Sequence, residues 1–178
     1  MLAWCLLVIS TLNLSAAFWF DRGARRRDGR VLDIRDFGAV ANVSNVDTAV
    51  ANAAAINAAL GNLTSGDVFL VPGGFEFYSI GGLSASNLSD VTLEFNGTLH
   101  ALPDFDSWPT DPSGSEYLHF VQISNSQHIT LQGPQQDPEV LSKIDGMGKK
   151  WWNAVIFGLL KPKRPKLVFV GASTNVLV

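Results

Sequence analysis

Apolar and polar positions along this chain follow two periods. From Asp47 to Gly61 the apolar residues Ala49, Ala53, Ile56 and Leu60 are spaced four, three and four, which is one stripe of a helix. Asp47 or Thr48 is placed to cap the first amides of that helix, and Gly61 to end it. Elsewhere the apolar runs are short. Val31 to Val40 sets Leu32, Ile34 and Asp36 against an opposite face, as a strand does. Asp67 to Val71 reads as a buried strand closed by Pro72, Gly73 and Gly74.

A pattern then recurs. Ser89 to Leu93, Gln127 to Leu131 and Thr174 to Val178 each place a polar pair before a short apolar strand. Val91, Ile129 and Val176 are separated by 38 and 47 residues, too far for one repeat of a stacked fold. Further strands are therefore expected between them, at Leu118 to Ile123 and Leu167 to Val170, with loops of unequal length. Short strands, polar turns and no strong second helix predict an all-β chain, a stacked β-solenoid, with a β-sandwich as the alternative. The Ala-rich helix favours the solenoid, because the first layer of such a stack exposes an apolar end that needs a cap. Ala172 to Val178 stays apolar to the last residue, so the far end is expected to present an open, pairing-competent face and edge.

Met1 to Ala17 is an apolar run closed by Ser15, Ala16 and Ala17, and reads as a secretory signal cut after Ala17. The competing reading is an uncleaved anchor, which the arginines at 22 and 25–27 would hold cytoplasmic; Ser10, Thr11 and Asn13 weaken it. After cleavage no membrane span remains, and residues 18–30 form a charged linker. The one cysteine, Cys5, lies within the signal, so disulfides do not staple the mature chain. Asn42, Asn62, Asn87 and Asn96 each open an Asn-x-Ser/Thr sequon and are candidate N-glycosylation sites of a secreted, extracellular protein.

Charge is unevenly placed. Residues 36–142 contain no Lys or Arg and twelve acids, a formal charge of −12, which repels phosphate backbones and argues against a nucleic-acid partner. The same surface repels an anionic polysaccharide, so cations that meet one must come from Lys143 onward or from sequence beyond this chain.

Asp36 Phe37 Gly38 Ala39 Val40, Asp47 Thr48, Ile56 to Leu60 and Val68 to Gly73 resemble the opening of right-handed parallel β-helix proteins such as pectin enzymes and tailspikes. In place of the usual Gly-Asp-Gly and Asp-Asp stand Ala41 Asn42 and a lone Asp47. Asn96 to Leu99, Trp108 Pro109, the block Ile144 to Trp152 and Arg164 to Val170 narrow the resemblance to glycoside hydrolase family 28, the polygalacturonases, over their N-terminal portion. The resemblance implies a pectin-lyase-like right-handed parallel β-helix over residues 31–178, capped by its N-terminal helix and incomplete at its C-terminal end. It also implies inverting hydrolysis of α-1,4-galacturonosyl bonds in pectin, with an acid and water-activating carboxylates set across the sugar.

The family's catalytic motifs do not transfer. The chain has no Asp-Asp and no Gly-His-Gly; Asn45 Val46 Asp47 fits Asn-x-Asp only by letters, where capping is expected; Arg164 Pro165 Lys166 leads into a strand rather than matching the family's Arg-Ile-Lys. No catalytic residue, cofactor or metal ligand is therefore assigned. Asp104, Asp106 and Asp111 around Trp108 are expected to be solvated loop acids rather than a calcium or acid–base site, and His100, His119 and His128 to flank strands. Trp151 and Trp152 are expected to pack, with at most one exposed for sugar stacking, and Val155, Ile156, Leu159 and Leu160 to form a short amphipathic turn. Lys149 and Lys150 are read as a solvated pair within reach of a polyuronate.

Three functional classes follow. The first is the N-terminal portion of a secreted polygalacturonase without its catalytic segment, inactive alone, monomeric when complete and prone to aggregate as a fragment. The second is a non-catalytic β-helix protein that binds pectin or another partner. The third, a pectin lyase-like enzyme, requires calcium or arginine chemistry for which no residues are found.

Overall fold

The computed structural model describes residues 29–134, 143–160 and 163–178; the expected signal at 1–17, Cys5 and all but the end of the expected linker at 18–30 lie outside them. Among the described residues the chain is mostly β. Its order is β1 (Val31–Asp33), a 3-10 turn (Ile34–Phe37), α1 (Val46–Gly61), β2 (Val68–Val71), β3 (Glu76–Ser79), β4 (Leu83–Ser86) and β5 (Ser89–Phe95). There follow β6 (Thr98–Ala101), β7 (Val121–Ser124), β8 (Gln127–Gln132), β9 (Lys143–Asp145), α2 (Lys149–Ile156), β10 (Val168–Gly171) and β11 (Thr174–Leu177).

The strands form three parallel sheets, ordered β1-β2-β5-β8-β11, β3-β6-β9 and β4-β7-β10. From β2 onward the chain visits the three sheets in constant rotation, so each strand pairs with the one three places earlier. The three recurring segments of the sequence are β5, β8 and β11, side by side, with Val91 opposite Ile129 and Ile129 opposite Val176. The strands expected between them are β7 and β10.

This register stacks like on like. Phe69, Leu93 and Leu131 form one buried column, Phe77 and Leu99 a second, and Leu83 and Val121 a third. The periodicity of two along each strand turns these residues to the space between the sheets. Burial declines at the far end, where Val170, Leu177 and Val178 are exposed and β9, β10 and β11 are the outermost strands of their sheets.

Two-residue corners join the sheet containing β4, β7 and β10 to the one containing β5, β8 and β11: Asn87–Leu88, Asn125–Ser126 and Ala172–Ser173. Each begins with a left-handed residue, at φ 58°, 50° and 49°. The Asn87 amide donates to the Ser124 carbonyl and the Asn125 amide to the Gly171 carbonyl, both at 3.1 Å, so every corner is hydrogen-bonded to the next. A second left-handed column, Asp90, His128 and Asn175, follows within the strands themselves.

Helix α1 lies across β3 and β4. Its Ala49, Ala53, Ile56 and Leu60 are buried as the stripe predicts. Asn52, fully buried on the same face, accepts from the Val40 amide at 2.7 Å and donates to the carbonyls of Val40 and Tyr78.

Several local expectations are corrected. The helix is capped by Asn45, whose side chain accepts from the Thr48 amide at 2.8 Å, not by Asp47 or Thr48; it ends at Gly61, with Asn62 as the flanking cap. The strand at Val31 to Val40 ends at Asp33, because the Asp33 carboxylate captures the Arg35 amide and turns the chain into the 3-10 turn, which Gly38 ends at φ 97°. A second helix, α2, does form, opened by Met147 at φ 43°. Arg30, read as linker, is anchored: its carbonyl accepts from Val68 and its guanidinium pairs with buried Asp67 at 2.6 Å.

Candidate functional site

Strands β3, β6 and β9 repeat one triplet, polar–apolar–polar: Glu76-Phe77-Tyr78, Thr98-Leu99-His100 and Lys143-Ile144-Asp145. The middle residues face the core, so the flanking polar ones share the outer face. Register aligns Tyr78, His100 and Asp145 in one row and Glu76, Thr98 and Lys143 in the next.

His100 is the centre of this face. It is only 8 % exposed, and neither ring nitrogen has a hydrogen-bond partner among the described residues. Its ring stacks on Tyr78. Nε2 lies 3.6 Å from the Glu76 carboxylate and Nδ1 3.6 Å from the Asp145 carboxylate, too long for hydrogen bonds and close enough for ion pairing when the ring is charged. The Tyr78 hydroxyl donates to Glu76 at 3.0 Å; burial first, then that bond, pushes the phenol above its ordinary range. Asp145 accepts from the Met147 amide at 2.9 Å and pairs with Lys143 at 3.1 Å, and these, the amide foremost, hold its carboxyl below the usual value.

Beyond this face the chain opens a cleft of about 400 Å³. Ala101 and Gly146, the residues after His100 and Asp145, line it beside Trp108, Trp151, Trp152 and Arg164. Trp151 is buried edge-on against Trp108 and Tyr117, at 5.0 Å between centroids in each case. The Trp108 indole donates to the Leu118 carbonyl at 2.9 Å and rests on Gly81, where a Cβ would lie 2.3 Å from the ring. Trp152 is exposed, and the Arg164 guanidinium lies 3.9 Å above its ring centroid.

The expected positions divide as follows. Trp151 packs and Trp152 is exposed, but because they occupy a helix; Val155, Ile156 and Leu159 are exposed rather than packed. Asp104 accepts from the Ser107 amide and Asp111 from the Glu116 amide, each at 2.9 Å, so both serve turns of the loop, while Asp106 is exposed. His119 is half-buried and its Nδ1 accepts from the Lys166 amide at 3.3 Å; His128 is exposed on β8 beside Asn175. Lys149 and Lys150 are exposed at the start of α2, with Lys150 over the Phe105 ring. Asn42, Asn62 and Asn87 are exposed, whereas Asn96 is half-buried with its amide nitrogen bonded to Glu94 at 2.7 Å.

Among the described residues no group of three or more His, Cys, Asp or Glu side chains is arranged to hold a metal ion, and no helix is long and apolar enough to cross a membrane. The clustering of Glu76, His100 and Asp145 was missed from sequence, because it arises from the pairing of β3, β6 and β9, residues far apart in the chain. No family model, curated protein or solved structure matches this chain.

Proposed function

We propose that this chain is an extracellular, polygalacturonase-like protein directed at pectin, built as a right-handed parallel β-helix with α1 as its N-terminal cap. The three-sheet rotation and the like-on-like columns support the β-helix reading. The observation that carries the functional reading is the placement of the block Ile144 to Trp152. It runs from β9 through the Asp145 face into α2 and forms one wall of the aromatic cleft. Concave sites of this size, aromatic with a few charged groups, are the usual form of ligand pockets.

Binding without hydrolysis is the activity expected of these residues. Asn45 serves as the cap of α1, and neither an Asp-Asp nor a Gly-His-Gly is present. An inverting mechanism needs an acid and a base separated by room for water; here the Glu76 and Asp145 carboxylates converge on the one imidazole of His100.

The test is co-sedimentation of the purified full chain with calcium-free polygalacturonate gel, alongside a reducing-end assay. Retention on the gel with no release of reducing ends is expected. Failure to be retained defeats the pectin reading, and release of reducing ends defeats the inactivity.

A further inference from the structure

We propose that the exposed apolar face of α2, flanked by Lys149, Arg164 and Lys166, is a docking surface for an anionic lipid bilayer. The inference goes beyond the pectin-directed reading and stands or falls without it.

Helix α2 is apolar on two sides. Trp151 and Ala154, three residues apart, turn inward and are buried. Trp152, Val155 and Ile156 are neighbours at spacings of three and four on a face that is exposed. Phe157 and Leu159 prolong the apolar surface past the end of the helix, and Ile156, Phe157 and Leu159 are 71, 73 and 72 % exposed. Their placement is fixed by a built helix end. Gly158, at φ 64°, donates its amide to the Val155 carbonyl at 3.0 Å, and the Leu159 amide reaches the Ala154 carbonyl at 2.8 Å. A surface helix ordinarily carries polar residues opposite its buried side, and neighbouring exposed apolar side chains mark an interaction surface.

Charge selects the occupant. Between Gly146 and Val178 the sequence has six cations, at 149, 150, 161, 163, 164 and 166, and no acid, a formal charge of +6 against the −12 of residues 36–142. Lys149 is exposed one turn before Trp152, and the Arg164 guanidinium lies 3.9 Å from the Trp152 ring centroid, at the border of the apolar face. Exposed Lys166 lines the cleft that Trp152 and Arg164 share. These three cations form no ion pair among the described residues, whereas Lys163 is paired with Glu116. A second copy in a symmetric pair would set the +6 segment against itself. A hydrated polyanion has no apolar phase to receive Ile156, Phe157 and Leu159. An anionic bilayer satisfies both features: apolar side chains and tryptophan enter the boundary between headgroups and acyl chains, while Lys and Arg remain among the negative headgroups. The contact is with the surface alone, since no described helix is long and apolar enough to cross.

The experiment is flotation of the purified full chain with vesicles of phosphatidylserine and phosphatidylcholine in equal parts, against vesicles of phosphatidylcholine alone. Binding to the anionic vesicles, weakened by salt, is expected, with little binding to the neutral ones. Ile156→Ser combined with Phe157→Ser is expected to weaken it at least about tenfold, and Arg164→Gln roughly fivefold. Lys163→Gln, whose charge is already met by Glu116, should change it by less than about twofold. Circular dichroism checks that the variants fold. The serine double variant should still be retained on polygalacturonate gel, so this inference and the pectin reading fail separately. No flotation of the unmodified chain, or equal flotation with neutral vesicles, overturns the proposal. Undiminished binding by the double variant also overturns it, by moving the contact to the apolar run at Met1 to Ala17. So does a dimer in analytical ultracentrifugation that the two serine substitutions dissociate, because a second copy then covers the face.

Discussion

The imidazole of His100 lies parallel to the Tyr78 ring, 4.6 Å between centroids at an angle of 13°. The stack holds the histidine flat on its sheet, and its nitrogens sit among carboxylates without a hydrogen bond. An aromatic replacement preserves the stack and removes two unsatisfied polar atoms. His100→Phe is therefore expected to leave stability unchanged or raise it by up to about 1 kcal/mol, measured by urea denaturation at pH 7. A loss of more than about 2 kcal/mol would show that the ring makes a hydrogen bond in solution.

Asp67 makes the opposite kind of contact. Buried, it accepts from the Arg30 amide and guanidinium and from the Thr64 amide and hydroxyl. The Arg30 guanidinium above all, with the Thr64 donors, outweighs burial and holds this carboxyl well below its ordinary range. A lowered folded-state value contributes stability above the unfolded value near pH 4, lost as pH falls toward the folded one. Asp67→Asn is expected to cost about 1–3 kcal/mol at pH 7, and the gap from the unmodified chain to shrink below pH 4. Urea denaturation at pH 7, 4 and 2.5 measures both; a gap that stays constant into acid removes the carboxylate from the account.

Ala172 adopts φ 49° where the equivalent corners use Asn87 and Asn125. Left-handed backbone costs a residue with a Cβ about 1–2 kcal/mol, less for asparagine. Ala172→Asn is expected to raise stability by roughly 0.5–1 kcal/mol and Asn125→Ala to lower it by a similar amount. Thermal melts that move in the same direction for both would refute the corner assignment.

Adjacent tryptophans should behave unlike one another. Trp151 is 5 % exposed and wedged among Phe105, Trp108 and Tyr117, whereas Trp152 is 56 % exposed. Trp151→Ala is expected to cost about 3–5 kcal/mol and Trp152→Ala under about 1. Similar losses in chemical denaturation would contradict the placement of the two rings.

Glycan mapping by mass spectrometry after expression in a eukaryotic secretory host should find Asn42, Asn62 and Asn87 modified and Asn96 bare. Asn96 is half-buried, with its amide oxygen buried without a partner, whereas Asn42, Asn62 and Asn87 are exposed, Asn62 even though its amide donates to the Ala58 carbonyl at the end of α1. Full occupancy of Asn96 would mean that modification precedes the packing of β5 and β6.

How much of this was legible depended on the range of the determining interaction. The α1 stripe and the set β5, β8 and β11 were readable because the pattern lies within each segment: Ala49 to Leu60 in one helix, Val91, Ile129 and Val176 in identical settings. The cap was misread because Asn45, Asp47 and Thr48 are all good cap residues, and the choice rests on where the backbone turns extended, at Asn45 with ψ 165°. Helix α2 was hidden by its short length and by the doubled tryptophan, which suggested a strand. The Glu76, His100 and Asp145 face needed knowledge of pairing between residues far apart in the chain, information that no single segment contains.

The corners divide into a fixed set and a growing one. Asn87–Leu88, Asn125–Ser126 and Ala172–Ser173 never change length, while the connections leaving the β3-β6-β9 sheet expand from 80–82 to 102–120 to 146–167, the last two enclosing the cleft. The short corners thus work as a spine that resets the phase of the chain after each set of three strands, and variation in length is confined to the connections leaving the β3-β6-β9 sheet. Insertions at the exposed turn 112–115 should be absorbed, whereas one residue added beside Asn125 would throw every later strand out of step.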